Sequence, residues 1–454
     1  MVRRLVSEQQ EAGRAARKSV PRRAHGLIAT FDRDPVALLD SQNATRIPDL
    51  VPVRWGRMLE SPFAFYRGSA ALMAADLAAG PSTGVQVVAC GDAHLANFGL
   101  YASPERRLVF DLNDFDEASN APWEWDVKRL AASLVVAGRD QGFDDALTRE
   151  AATAVAAEYR TRLAELFTRS ALERYYASVD ETWLEEHVAD HGRGLLRKTL
   201  KKARRRTSEQ VLHRLTTTDE SGRLRIVDDP PLVRHPPREA AALAEQVLAD
   251  YASVLRSDVA LLLGQFVLAD VAMRVVGVGS VGTQAYVALL EGPGGPPLFL
   301  QIKEASESVL SSYGGVPAVP PPGTHLPSGA GEGARVVGAQ RILQAVSDPF
   351  LGWFTGPRRS FYVRQLRDMK GSVDVAALTQ TQLVNYGRLC ATQLARGHAQ
   401  SPSAAFVAGY LGRSDSFDVA IADWAVAYAD QVERDHAALA AAAAAGRIPA
   451  ERGV

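Results

Sequence analysis

The chain has 454 residues, 47% of them hydrophobic and 23% charged, with 51 Lys plus Arg against 52 Asp plus Glu. That length can bury more than one core, and that composition excludes a mainly disordered chain. The near-zero charge balance excludes a whole-molecule field that would draw in nucleic acid or an anionic membrane.

Residues 1–60 are basic and proline-punctuated with weak periodicity, and are expected to form an N-terminal extension. The first twenty, MVRRLVSEQQEAGRAARKSV, lack the apolar stretch of a signal peptide. The two cysteines, Cys90 and Cys390, are too few for a disulfide framework and carry no zinc-site spacing. A reducing cytoplasm is the expected location. Between 62 and 79, Phe65, Leu72, Met73 and Leu77 fall at helical spacing. VQVVA at 85–89 reads as a short strand. FGLYA at 98–102 and RLVFDL at 107–112 read as a hairpin turning at SPER. Val127, Leu130, Ala131, Leu134 and Val135 mark an amphipathic helix. Residues 144–213 and 238–274 read as largely helical, with a polar, proline-containing connector at 216–237. The most apolar window, from Val259 to Val278, is interrupted by Asp270 and Arg274, so it reads as a buried helix rather than a membrane span. RVVGVGS, TQAYVALLEG and PLFLQIKEA form a strand-rich segment. A Gly/Pro loop follows at 313–333, then helix at 334–346, strand at 361–366 and helix at 378–400. The C-terminal part is helical and includes an alanine run at 438–445.

GDAHLANFG at 91–99 places Asp92 five residues before Asn97, in a loop that enters the hairpin. That is the spacing of a phosphotransferase catalytic loop, where the Asp accepts the proton of an attacking hydroxyl and the Asn holds a magnesium ion. Magnesium takes few protein ligands, all oxygen, so one further carboxylate is enough. NDFDEA at 113–118 supplies Asp114 just after the hairpin, with Asp116 as the alternative ligand. His94 either orients the loop or touches substrate. Asp126, twelve residues beyond Asp114, opens the amphipathic helix and fits an N-cap as well.

This run resembles the aminoglycoside and choline phosphotransferase branch of the kinase-like superfamily, with Cys90 standing where that branch often has His. The resemblance implies Asp92 as base, with His94 beside it, Asn97 and Asp114 as metal ligands, and Asp126 as a structural residue under the loop. Gly277, Gly279, Ser280 and Gly282 fit a glycine-rich turn between two strands, with Lys303 on the next strand. Together they resemble a kinase phosphate loop and its lysine. The same glycines precede a strand rather than a helix, which argues against a dinucleotide-binding βαβ unit. Because the lysine follows the catalytic loop, the resemblance implies a circular permutation, with FYVRQL entering an adenine hinge and LARGHAQS as the helix end that precedes a catalytic loop. The helix glutamate that usually pairs with such a lysine is replaced by Gly338, leaving Glu332 or Glu304 as substitutes.

The implied fold is α+β, kinase-like and two-lobed. Its expected parts are a helical catalytic lobe over 61–269, a β-rich nucleotide lobe over 270–370 and a helical return over 371–454. The expected ligands are ATP, Mg²⁺ and an acceptor that the sequence does not identify. PRRAHG, RWGRMLESPFAFYRG, WEWDVKRLA and FYVRQLRDMKG also resemble the bacterial family called domain of unknown function 2252. Competing expectations are a nucleotidyl transferase or a non-catalytic nucleotide-binding protein on the same fold, and a metallophosphoesterase built on GDAH and Gly397-His398. The basic run Arg193–Arg206 reads as a solvated helix face before it reads as a grip for an acidic partner. Arg67, Trp123 and Trp125 read as packing residues, and Cys90 as a small buried one.

Overall fold

The computed structural model describes residues 5–29, 32–187, 190–205, 212, 215–220, 222–237, 244–275, 277–318, 330–356, 359–366 and 369–454, apart from 213–214 and a few side chains near 190–195. Helices α1 (Val6–Ala16), α2 (Pro35–Ser41) and α3 (Val51–Met58) build much of the N-terminal extension. The single helix expected over 62–79 is two, α4 (Pro62–Gly68) and α5 (Ala70–Ala78), because Ser69 leaves the helical region at φ −117°, ψ 31°. Strand β1 (Gln86–Ala89) leads to the hairpin β2 (Phe98–Ala102) and β3 (Leu108–Leu112). Strand β4 (Ser119–Pro122) returns to pair antiparallel with β1. Both hairpin strands are buried along almost their whole length, so apolar residues occupy both of their faces.

Helix α6 (Trp123–Asp140) starts directly after Pro122 and carries Glu124 and Asp126 in its first turn, where the helix dipole favours acids. It packs with α7 (Asp145–Leu166). Helices α8 (Ala171–Tyr176), α9 (Glu181–His187) and α10 (Asp190–Arg205) follow. Arg204 of the basic run pairs with Glu181, and Arg206 lies outside the described residues.

The connector at 216–237 holds more order than its composition suggests: a small hairpin, β5 (Thr216–Thr218) with β6 (Leu224–Ile226), and then β7 (Val233–Arg234). Helices α11 (Ala244–Ala252) and α12 (Ser257–Leu263) come next. The apolar window expected to be helical ends as helix at Leu263. Residues Val267–Arg274 are instead strand β8, with a register shift between Leu268 and Asp270. Strands β9 (Ala285–Glu291) and β10 (Leu298–Ala305), the short helix α13 (Val309–Ser312) and helix α14 (Gly331–Leu343) come next. Part of the Gly/Pro loop, 319–329, lies outside the described residues. Strands β11 (Gly352–Thr355), β12 (Ser360–Gln365) and β13 (Gly371–Ser372) precede helices α15 (Gln380–His398), α16 (Ala404–Leu411) and α17 (Ser416–Ala444).

Two assemblies result. Six antiparallel strands run in the order β11-β12-β10-β9-β8-β7, so the sheet begins before the expected boundary at 270 and draws in β7 and all of β8. Strand alternation sorts its residues by face. Ala288, Leu290, Leu300 and Ile302 pack with Tyr251, Val259 and Leu263, whereas Val287, Leu289 and Phe299 pack with Ile226 and Val233. The large core gathers α6, α7, α15 and α17 around the β2–β3 hairpin. Strand β13 joins that hairpin through Gly371 opposite Leu100, so the chain leaving the sheet runs directly onto it. Among the described residues, no helix is long and apolar enough to cross a membrane.

Candidate functional site

A cleft of about 810 Å³ opens where the sheet meets the helical assembly. It is lined by Asp92, His94, Asn97 and Asp114 from the loop and hairpin, and by Gly277, Gly279 and Ser280 from the glycine turn. Lys303, on β10, reaches the same place. Its Nζ lies 2.6 Å from Asp116 Oδ2 and 3.5 Å from Asp114 Oδ1. Residues almost two hundred positions apart therefore converge on one charged spot.

The loop at 90–97 is held from below. Cys90 and Gly91 donate their backbone N–H groups to Asp126 at 2.6 and 2.9 Å. Asp126 also faces His398 Nε2 at 3.1 Å, and Tyr159 meets the other ring nitrogen at 2.8 Å. Asp126 is thus not an N-cap; Pro122 precedes the helix and Asp126 sits inside its first turn. Gly91 takes φ 78°, and a Cβ there would lie 2.3 Å from Glu117 O, so a side chain is excluded twice over. Cys90 Sγ is buried, and burial pushes its thiol well above the ordinary value, so it is no nucleophile.

Asp92 is fixed by a residue the sequence reading passed over. Arg129 of α6 meets Asp92 Oδ1 through Nε at 2.8 Å and Nη2 at 2.7 Å. Arg129 in turn donates to Tyr66 O at 2.7 Å and lies over the Tyr66 ring. Asp92 Oδ2 lies 3.6 Å from His94 Nε2. Burial pulls the His94 pKa down to about 4, so its ring is neutral near pH 7.

Asn97 ties the two acidic segments together. Its Nδ2 donates to Asp92 O and Asp114 O at 3.0 Å each, and its Oδ1 accepts from Asp114 N at 2.6 Å. Desolvation works to raise the Asp114 carboxyl, but Lys303, Arg364 and Lys370 outweigh it and hold Asp114 below the usual carboxylate range. Asp116 moves the other way, raised by desolvation and by the charge of Asp114. Tyr362 donates to Asp116 Oδ1 at 2.7 Å. Burial alone would lower Lys303, and the two aspartates reverse that and keep it charged.

Neither expected substitute partners Lys303. Glu332 pairs with Arg335 and Glu304 with Arg359; the partner is Asp116, two residues after Asp114. Gly338 lies on α14, which packs against β11 and β12. Arg335 of that helix donates instead to Ala118 O and to Asp116 O, bracing the acidic segment from behind. Glu117 accepts from Val309 N at 2.7 Å, and burial pushes its carboxyl up to about 7.

The glycine turn is pinned by the N-terminal extension. Arg57 donates to Gly277 O, Arg46 to Val281 O, and Ile47 N to Gly282 O at 2.8 Å. Gly277 and Gly282 take φ 73° and 90°. Arg67, read as a packing residue, lines the cleft, whereas Trp123 and Trp125 are buried. The sequence offered one signal for Arg67 and Arg129: each is an arginine set among the apolar positions of a helix, in FYRG and VKRLA, where a cation is retained only with a purpose.

The fold and cleft define an α+β protein with a charge-lined cavity between an antiparallel sheet and a helical assembly. The chain belongs to the family described as uncharacterized protein conserved in bacteria (DUF2252), whose model matches residues 46–442 and so spans Asp92, His94, Asn97, Asp114, the glycine turn and Lys303. Neither a curated protein nor a solved structure matches it.

Proposed function

We propose that the protein is an ATP- and Mg²⁺-dependent phosphotransferase of kinase-like, circularly permuted architecture, with residues 233–365 as nucleotide lobe. One observation carries the reading: Lys303 meets Asp114 and Asp116 at 3.5 and 2.6 Å in the cleft that also holds Asp92 and the glycine turn. A phosphate loop, a lysine, a metal carboxylate and a base are the parts phosphoryl transfer needs, because its catalysis is mostly positioning and charge neutralisation. The strand order β8-β9-β10-β12-β11, with the glycine turn after β8 and the lysine on β10, supports it. So does α15, whose end at His398 lies against the support of the catalytic loop despite a separation of 272 positions.

In this reading the nucleotide phosphates lie between the glycine turn and Lys303, and the base lies toward the segment joining β12 to β13. The donor set fits Mg²⁺: Asp114 is half-exposed to the cleft, and Asn97 Oδ1 has a second lone pair beyond the one given to Asp114 N. The ion, when bound, neutralises charge on the phosphates. Arg129 occupies Asp92 Oδ1, leaving Oδ2 for the acceptor. The acceptor oxygen bonds to the γ-phosphorus as its proton passes to Asp92, the bond to the bridging oxygen breaks, and ADP leaves. Asp116 takes the lysine-pairing place of the missing helix glutamate. A nucleotidyl transferase would use the same residues with ATP reversed, and the products separate the two: ADP, or pyrophosphate.

The test is thermal unfolding of wild type and Asp114→Asn with ATP, with and without Mg²⁺. Saturation near 100 Kd stabilises by about 2.7 kcal/mol. Wild type should show a Mg²⁺-dependent gain that Asp114→Asn loses. A wild-type protein unmoved by every nucleotide would overturn the proposal.

A further inference from the structure

Arg67 carries a charge that the fold does not answer. It sits at the end of α4, and a Cβ on Gly279 would lie 3.3 Å from its backbone oxygen, so it stands where the glycine turn touches the helical assembly. Among the described residues its side chain has no hydrogen-bond or ion-pair partner, and its Nε is sealed from water. Asp92 and Glu60 act on it only through space, while burial pulls its pKa down. The other cations around the cleft are answered: Lys303 by Asp116, Arg359 by Glu304, Arg364 by Asn113 O. Arg67 is half-buried, and a guanidinium whose Nε is sealed from water without a partner is costly, so one kept at a cleft wall marks the place of a bound anion.

Two neighbours add to this. Arg46 Nε and His94 Nδ1 are also buried without partners, and both side chains line the same cleft. Lys303, Arg364 and Lys370 gather their charge around Asp114, where the nucleotide phosphates are placed above. Arg67, beside Asp92, remains for the second ligand. A guanidinium binds carboxylate or phosphate through paired N–H groups, which fixes orientation as well as charge.

We propose that the acceptor is a hydroxyl-bearing molecule with an anionic group, carboxylate or phosphate, that Arg67 binds so that the hydroxyl meets Asp92. The acceptor role rests on the phosphotransferase reading; the anion site does not. The experiment titrates the full chain with inorganic phosphate and with malonate, in the presence and absence of Mg-ADP, for wild type, Arg67→Gln and Arg67→Lys. Wild type should bind at least one anion without nucleotide. Arg67→Gln should weaken that binding at least tenfold and Arg67→Lys by less. Mg-ATP affinity should stay within threefold in both variants. The unliganded melting temperature of Arg67→Gln should be unchanged or higher, because the removed charge has no partner to lose. Absence of anion binding to wild type, or undiminished binding to Arg67→Gln, overturns the site. Phosphate that binds only with Mg-ADP, with malonate never binding, also overturns it, since Arg67 then serves the γ-phosphate. Arg67-dependent anion binding in a chain that no nucleotide stabilises upholds the anion site and sinks the phosphotransferase reading.

Discussion

At the scale of single residues, two side chains near Asp92 set testable behaviour. Arg129 holds Asp92 Oδ1, so under the proposed phosphotransfer it acts through Asp92. Its side chain is 3% exposed and that of Asp92 22%. Arg129→Met leaves a carboxylate and the Tyr66 carbonyl without their donor, which should cost about 3 kcal/mol in urea denaturation. Turnover should fall about 10–10³-fold at unchanged nucleotide KM, and Arg129→Lys should recover part of it; a variant with wild-type turnover removes Arg129 from this role. Glu117 predicts a pH dependence. Unfolded, it ionises near 4.5; folded, burial raises it to about 7. Between those values the folded state holds a proton that the unfolded state lacks, so stability falls as pH rises from 4.5 to 7 and levels off above. Discounted for partial exposure, the effect is roughly 2–3 kcal/mol. Glu117→Gln should flatten the slope between pH 5 and 7 relative to wild type, and identical slopes would refute the assignment.

At the scale of elements, the glycine turn joins the sheet to the helices. Its carbonyls at Gly277, Val281 and Gly282 each accept a bond from residues 46–57, so the N-terminal extension sets its position. Arg57→Ala removes one of these bonds. A hydrogen bond contributes about 0.5–1.5 kcal/mol net, so the Mg-ATP Kd should rise roughly 2–10-fold in calorimetric titration while the unliganded melting point barely moves. Equal affinity would mean that the turn is placed by its own backbone. The elements also show what the sequence made legible. The hairpin at 98–112 and the helix over 127–135 were readable because their apolar runs and spacing are local properties, though the helix starts at Trp123 rather than at the expected Asp126. Strand β8 was not: eight residues holding Asp270 and Arg274 have no clean alternation, and the register shift at Leu268/Asp270 breaks the period that marks a strand. The Ser69 break was hidden because apolar spacing continues through it. The acidic loop, the glycine turn and Lys303 could be picked out by spacing, whereas the Lys303 partner and the Arg129–Asp92 pair depend on contacts no local pattern encodes.

At the scale of the whole molecule, the loop at 90–92 depends on a helix that the chain reaches three hundred residues later. Asp126, 1% exposed, accepts Cys90 N and Gly91 N and faces His398, while Val88 N donates to Ser401 Oγ at 2.8 Å. The loop and the end of α15 are thereby joined through the buried Asp126 carboxylate, and strand β1 is tied to the residues just beyond α15 by the Val88–Ser401 bond. Asn at 126 offers one acceptor oxygen where two backbone donors point and turns an N–H₂ toward one of them. One buried N–H is left unsatisfied, at about 1–3 kcal/mol. A displacement of about 1 Å in the loop would lower turnover about 10²-fold. The distinguishing measurement is amide hydrogen exchange. Contacts distant in sequence that share one buried group open as a unit, so Asp126→Asn should speed exchange at 88–92 and at 394–401 together. Faster exchange confined to 88–92 would show that α15 stands without the loop, and the coupling of early and late chain through Asp126 would fail.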